Sequence, residues 1–427
     1  MRLVARAASV VLLFGVVMAM AVPAEAQPYE ARQSGDIVQL EDKASQTVVS
    51  IITSVGNMAY EMKVKGHNIL RFPFASIDDY RSKPPSRHGI PLLAPWGNRL
   101  DEQAFYANGK RYAFDMSLGN ISSANAIHGF MSLTDQWQIV ELKHDGDAAW
   151  LTSRLDVYKQ PSWMKQWPFA HTIEMTYRLA GGVLEVRTKV VNLSTEPMPV
   201  ALGYHPWLQL TDSPRDEWTV TVPARTRWLL SHQKVPTGQT EPTGAFFTDF
   251  KGALKDYNID DVFTDLVRDA QGRATAIVKG RRQQIEVSQG PNFKALIVYS
   301  PNPLGTGRGS QIPPPDPNAA PAAAPGRGAG PGAAPAPPPP NPLATPNFIC
   351  LEPMAGISNA LNLAHRGVYK ELQSIPPGGT WQESFWIRAS GFLGARRWAL
   401  GARRTRDRGL GAGGQNGDSH LFENEKR

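Results

Sequence analysis

Val183-Leu184-Glu185-Val186-Arg187-Thr188-Lys189-Val190 is the stretch that decides the fold class. The apolar Leu184, Val186 and Val190 alternate with Glu185, Arg187 and Lys189. That is the period of a strand with one face buried and the other in water. Gly181-Gly182 stands just before it as a turn signal. Trp218, Val220 and Val222 repeat the alternation further on. Phe293 to Tyr299 and Phe348 to Leu351 are short apolar runs suited to buried strands, and Thr47 to Thr53 and Tyr60 to Val64 add two more. Asn108-Gly109, Asp145-Gly146 and Pro377-Gly378-Gly379 supply further turns between such runs. No stretch carries sustained helical periodicity with caps, and no fixed-period repeat is present. The expected class is all-β, a large antiparallel β-sandwich.

The chain has 427 residues, and three segments fall outside this pattern. Residues 1–26 read as a secretory signal: Arg2 and Arg6 begin it, Val10 to Val22 is apolar, and Ala24-Glu25-Ala26 forms a small-x-small cleavage pattern before Gln27. The apolar run is short against the ~20 residues of a membrane span, so no span is expected once the signal is removed. Residues 301–346 are dominated by Pro, Ala and Gly, with Pro337 to Pro340 at their extreme, and have almost nothing to bury. They read as a disordered insertion in a surface loop joining two strands, because the 44 or so residues after them are too few for a core of their own. Residues 391–427 read as a disordered basic tail. The folded body is therefore expected over 27–390.

The net charge is +7, but most of it lies in the tail, the signal and the insertion. The body is near neutral, which argues against a nucleic-acid partner. Cys350 is the single cysteine, so no internal disulfide framework exists. An exported protein must then hold together through its core alone. The expected location is the periplasm or the medium, and nothing in the sequence specifies an oligomeric state.

Four local clusters set polar groups among Gly, Pro and apolar residues. They are Ala94-Pro95-Trp96-Gly97-Asn98-Arg99-Leu100, Ala126-Ile127-His128-Gly129-Phe130, Leu202-Gly203-Tyr204-His205-Pro206-Trp207 and Cys350-Leu351-Glu352-Pro353. Each has the composition of a strand end turning into a pocket. Taken singly, each has a bland reading: a structural histidine, a loop-bracing Arg99, or a Glu352 buried in an ion pair with Arg99. Trp163, Trp167 and Trp207 could present flat faces to sugar C–H groups or fill the core. The histidines lack the spacing of a zinc motif, although His128, His205 and Glu352 could form a two-His-one-carboxylate set.

Together, in this order, the clusters resemble the aldose 1-epimerase (galactose mutarotase) family. The resemblance rests on Asn98-Arg99, His128-Gly129, His205-Pro206-Trp207 and Glu352-Pro353, and it runs from about Val48 to Ile387. The Tyr204-His205-Pro206 form is similar to the bacterial branch with Gly-x-His-Pro. The family's loop aspartate has its counterpart in Ile259-Asp260-Asp261-Val262-Phe263. That doublet offers two positions one residue apart, of which Asp260 matches better. The resemblance implies a galactose mutarotase-like sandwich with its site on a concave face. It implies Glu352 as general base, His205 as general acid and His128 as support for the acid or a donor to the ring oxygen. It implies Arg99, Asn98 and Asp260 as sugar-binding residues, with Trp207 lining the pocket.

The reaction asks for such groups on its own account. Interconverting the α and β anomers of a free aldohexose means removing the proton of the C1 hydroxyl while protonating the ring oxygen. The ring opens to an aldehyde, C1 rotates, and the ring recloses. A carboxylate and an imidazolium, expected on opposite sides of the hemiacetal, do both jobs near neutral pH. No cofactor and no metal is required, because no electrons move and the aldehyde is neutral. Two other functions use the same sandwich: non-catalytic carbohydrate binding, and a glycoside hydrolase or lyase, for which Glu352 with Asp260 or Asp261 is the evident carboxylate pair. Sequencing the N-terminus of the mature protein from its producing cell should give Gln27; a chain retaining Met1 would remove the cleavage reading in favour of a retained N-terminal anchor.

Overall fold

The alternating stretch forms the strand Val183–Asn192, near the middle of a nine-stranded sheet. Its neighbours are His171–Ala180 and Thr380–Ser390, both antiparallel to it. Leu184, Val186 and Val190 are buried and Arg187 is exposed, as the two-residue period requires. A computed structural model describes residues 28–83, 86–121, 126–302, 307–309 and 347–394. Among these, helices are few and short: Ile77–Arg81, Pro161–Gln166 and Ala360–His365. Gly181-Gly182 and Asn108-Gly109 both form tight turns with positive φ at both residues, the geometry that a twisted two-residue hairpin connection needs.

A second nine-stranded sheet runs through Pro236–Pro242, Ala224–Leu230, Tyr257–Leu266, Ala295–Ser300, Ile349–Met354, Gly203–Tyr204 and Leu92–Leu93. Trp207–Leu208 also pairs with Ile349–Met354. The inner faces of the two sheets share one core, in which Val186, Phe385 and Ile387 join Leu296, Val298, Ile349 and Leu351. Tyr204 spans the two layers: its ring lies 4.8 Å from that of Phe385, and its hydroxyl is 2.5 Å from that of Thr188. This is the expected sandwich. A five-stranded antiparallel meander from Tyr29 to Asn68 accompanies it.

Alternation along the second sheet decides what faces outward. Ile259, Phe263, Leu296, Val298 and Leu351 point into the shared core. Val262, Ile297 and Met354, at positions of the other parity, belong to a separate cluster covered by Ala360, Leu363 and Tyr369. Asp260, Tyr299 and Glu352 share that outer parity and line an open cleft. The two aspartates of the doublet therefore separate. Asp261 is fully buried on the core side, where Oδ1 accepts hydrogen bonds from Nε and Nη2 of Arg227 at 3.0 and 2.7 Å. The Phe246 ring packs 3.9 Å from that guanidinium.

Two boundaries differ from those expected. The body does not stop at 390: Phe392 is buried and the Leu393 carbonyl contacts Nε2 of His67 at 3.1 Å, so the compact unit runs through Leu393. The beginning of the Pro-rich insertion is also anchored. Arg308–Gly309 pairs in parallel with Tyr257 and Asn258, and the Arg308 guanidinium donates to the Ala245 carbonyl at 2.9 Å. An extended backbone beside an open strand edge satisfies its polar groups that way. The insertion does join two strands that pair with each other, Ala295–Ser300 and Ile349–Met354. The signal, most of the insertion and most of the tail lie outside the described residues.

Removing Arg227 would leave the Asp261 carboxyl buried without its partner. Arg227→Ala should lower the unfolding free energy by about 3–5 kcal/mol in urea titrations. Asp261→Asn in the same background should recover part of the loss; an unchanged midpoint in Arg227→Ala would contradict the role given to this pair.

Candidate functional site

The cleft encloses about 270 Å³ and is lined by Asn98, Arg99, His128, His205, Trp207, Asp260, Tyr299 and Glu352. All seven residues expected at the site meet here, although they come from five distant parts of the chain.

His128 and Asn98 lock each other in place. Both have positive φ, 62° and 56°. The Asn98 amide donates to Nδ1 of His128 at 3.2 Å, and the His128 amide donates to the Asn98 carbonyl at 2.8 Å. Gly129 makes this possible: at φ +60°, a Cβ there would lie 2.0 Å from the Ala94 carbonyl oxygen. Because Nδ1 accepts, the neutral ring carries its proton on Nε2. The Asn98 side chain is occupied elsewhere. Its Oδ1 accepts from the Arg99 amide at 2.8 Å and from Arg99 Nη1 at 3.2 Å. Arg99 then reaches Asp260 at 3.7 Å rather than Glu352. Asn98 is thus chiefly a brace for Arg99 and His128.

His205 and Glu352 are held by the second sheet. Gly203 pairs with Met354 and Trp207 pairs with Cys350, so the two pairings bracket the histidine and the glutamate between them. Gly203 must lack a side chain, since a Cβ would come within 2.0 Å of the Met354 sulfur; the same sulfur lies 2.6 Å from the corresponding position at Gly97. Tyr204 turns into the core, so the next residue, His205, faces the cleft. Its Nε2 lies 3.2 Å from Oε1 of Glu352. The rings of His205 and His128 are 5.4 Å apart and nearly perpendicular.

Burial dominates the titration of this group. It lowers His205 to about 3 and holds His128 well below the usual histidine range, with Arg87 and Arg99 adding to the effect on both. Burial also lifts Glu352 well above the ordinary carboxylate range, Asp260 lifts it further, and Arg99 opposes both. The pair therefore rests in its uncharged form, with Glu352 carrying the proton towards Nε2 of His205. Acid and base were expected on opposite sides of the hemiacetal; they stand side by side. The reason lies in the fold: the two pairings that bracket them hold both groups against the same strand.

Trp207 lines the cleft, but its ring stacks on the His205 imidazole at 5.1 Å and 20°. That face is closed to a sugar, and the indole serves to orient the histidine. Trp167 is core, 4.4 Å from Phe105, and Trp163 packs against Phe130. Tyr299 was missed in the sequence because it closes an apolar run; its parity with Ala295 and Ile297 aims it outward into the cleft. Burial raises its hydroxyl to about 12, so it is a neutral donor. Arg87 and His88 carry no motif and were also missed, although Arg87 depresses both site histidines. Among the described residues, the ligand-type atoms that converge within 4.8 Å belong to His205, Cys350 and Glu352, and His128 is not part of that set.

Comparison with known proteins places the family and the fold. The family model described as aldose 1-epimerase matches residues 36–386. A curated relative, the uncharacterized protein YihR of Escherichia coli K12, is 28% identical over 205 residues. That match covers 48% of this chain and 60% of YihR, so the chain spans about three fifths of that relative's length. A galactose mutarotase-like protein from Clostridium acetobutylicum superposes with a TM-score of 0.64 at 20% identity, covering 85% of this chain and 98% of its own. A galactose 1-epimerase from Lactobacillus acidophilus gives 0.58 at 13% identity, with 85% and 98% covered. These likenesses establish a shared fold.

The Asn98 contact fixes the His128 tautomer. Nitrogen-15 NMR of the histidine rings should find Nδ1 of His128 unprotonated and Nε2 protonated, and no imidazolium at pH values just below the ordinary histidine pKa of ~6.5. A protonated Nδ1 there would overturn the assignment.

Proposed function

The chain belongs to the aldose 1-epimerase family, and from that premise we propose that it interconverts the α and β anomers of a free aldohexose by acid–base ring opening. The observation that carries this reading is the 3.2 Å contact between Nε2 of His205 and Oε1 of Glu352 inside a sugar-sized cleft. Two groups at that spacing can share a single proton. With the proton on His205, Glu352 takes the proton of the C1 hydroxyl while His205 protonates the ring oxygen. The C1–O bond to the ring opens, and the proton held by the pair has moved from His205 to Glu352. The aldehyde rotates about C1–C2. Reclosure runs the same transfers backwards, from the neutral pair that burial favours. The resting state is thus the form that closes the ring, and the ion-pair form opens it.

His128, locked with Nε2 protonated, is a neutral hydrogen-bond donor beside His205. Arg99 and Asp260 bind sugar hydroxyls as a joined pair, and the Tyr299 hydroxyl donates to the same ligand. Asp260 is engaged by Arg99, and Asp261 lies on the core side with Arg227. That arrangement favours an epimerase over a hydrolase working with two carboxylates.

Polarimetry on freshly dissolved α-glucose or α-galactose tests the reading. The protein should speed the decay of rotation, and Glu352→Gln and His205→Asn should each lower kcat by ~10²–10⁴-fold. Wild-type decay no faster than that of Glu352→Gln, across several aldoses, would remove the claim. The pH profile supplies a second check. The active pair holds one proton, so kcat/KM falls at high pH when Glu352 finally loses it. Asp260 helps hold that proton. Asp260→Asn should therefore move the alkaline limb to lower pH, whatever it does to KM; an unmoved limb would contradict the shared-proton account.

A further inference from the structure

We propose that His205, Cys350 and Glu352 form a binding site for zinc, and that zinc bound there blocks the epimerase. The inhibitory arm rests on the function proposed above; the site itself does not.

The three side chains offer one soft and two borderline or hard ligand atoms, all within 4.8 Å of one another. Cys350 and Glu352 are two residues apart on the strand Ile349–Met354, so both point to its outer face. His205 reaches them from the segment between Gly203–Tyr204 and Trp207–Leu208, both paired to that strand. The 3.2 Å between Nε2 of His205 and Oε1 of Glu352 is close to the ~3.3 Å edge of a tetrahedron built on Zn–N and Zn–O bonds of ~2.0–2.1 Å. Oε2 of Glu352 is buried and has no hydrogen-bond partner among the described residues. All three residues are more than nine-tenths buried, and the cleft beside His205 and Glu352 leaves room for a fourth ligand from water.

Zinc takes a thiolate, a carboxylate and a neutral imidazole, so binding displaces the protons these groups carry and tightens as pH rises. Arg71, Arg87, Arg99, His88, His128, Asp260 and Tyr299 surround the trio and set its field. The trio's ligands include both proposed catalytic groups, so an occupied site cannot carry a proton to or from a sugar. Cys350 takes no part in the reaction itself. It supplies the soft ligand that separates this site from an ordinary His–Glu contact.

Isothermal titration of chelator-treated protein with zinc chloride tests this directly. Binding should be one to one, with proton release, as read from buffers of different ionisation enthalpy. Cys350→Ser and Cys350→Ala, each verified by thermal melting as folded, should weaken binding by at least ~10-fold. In polarimetry, zinc should lower the apparent kcat for the sugar in wild type, a chelator should reverse it, and both variants should keep basal activity and resist zinc. Undiminished zinc affinity in folded Cys350 variants would overturn the site, as would no binding to wild type at millimolar zinc. Zinc binding through Cys350 in a protein that accelerates no aldose would instead defeat the epimerase reading and leave the site standing.

Discussion

The strand Ile349–Met354 is buried at every position, on both faces, and the rest of the molecule is arranged around that constraint. Leu351 enters the core between the sheets, so Glu352 must emerge on the other face. A carboxylate there cannot stay charged and alone without a large desolvation cost. The fold meets the constraint with a neighbouring imidazole and one proton. The two short strands that pair with Ile349–Met354 are interrupted at His205-Pro206, and the interruption is what allows a histidine to face the glutamate. The structural solution to a buried acid and the proposed proton relay are the same contact.

Electrostatics around that contact act with opposite signs. Arg99 stabilises the Glu352 carboxylate and Asp260 opposes it, while both Arg87 and Arg99 keep His205 uncharged. The balance favours a neutral pair that one proton transfer converts to an ion pair. Asn98 fixes two members of the site through backbone and side chain at once, and Trp207 fixes a third by stacking. Rigid placement of this kind lowers the entropic cost of reaching the reactive geometry.

Much of this was legible in the chain. The strand Val183–Asn192, its glycine turn and the all-β class follow from a two-residue period that tertiary packing did not override. The four clusters gave six of the seven residues expected in the cleft, because each pairs a chemical group with the Gly or Pro that a sharp turn needs, and the aspartate doublet gave the seventh, Asp260. What the chain did not disclose is relative orientation. Asp260 and Asp261 are equivalent until the register with Arg227 assigns one to the core. Trp207 reads as a sugar platform until its ring is found against His205. Tyr299, Arg87 and His88 belong to no local pattern, since their roles arise from strands and loops that meet only in three dimensions. The ends of the body were misjudged for the same reason: Phe392, Arg308 and Gly309 owe their order to distant neighbours rather than to local composition.

The Met354 sulfur fills space that Gly97 and Gly203 leave vacant, at the junction of three separate segments. Those three positions share one fixed volume. In evolution, a larger residue at either glycine needs the side chain at 354 to shrink or move, and at 203 the Pro353 carbonyl, 2.9 Å from the added Cβ, must give as well. Substitutions at 97, 203 and 354 should therefore appear together across homologues, as a covarying set whose origin is steric rather than chemical.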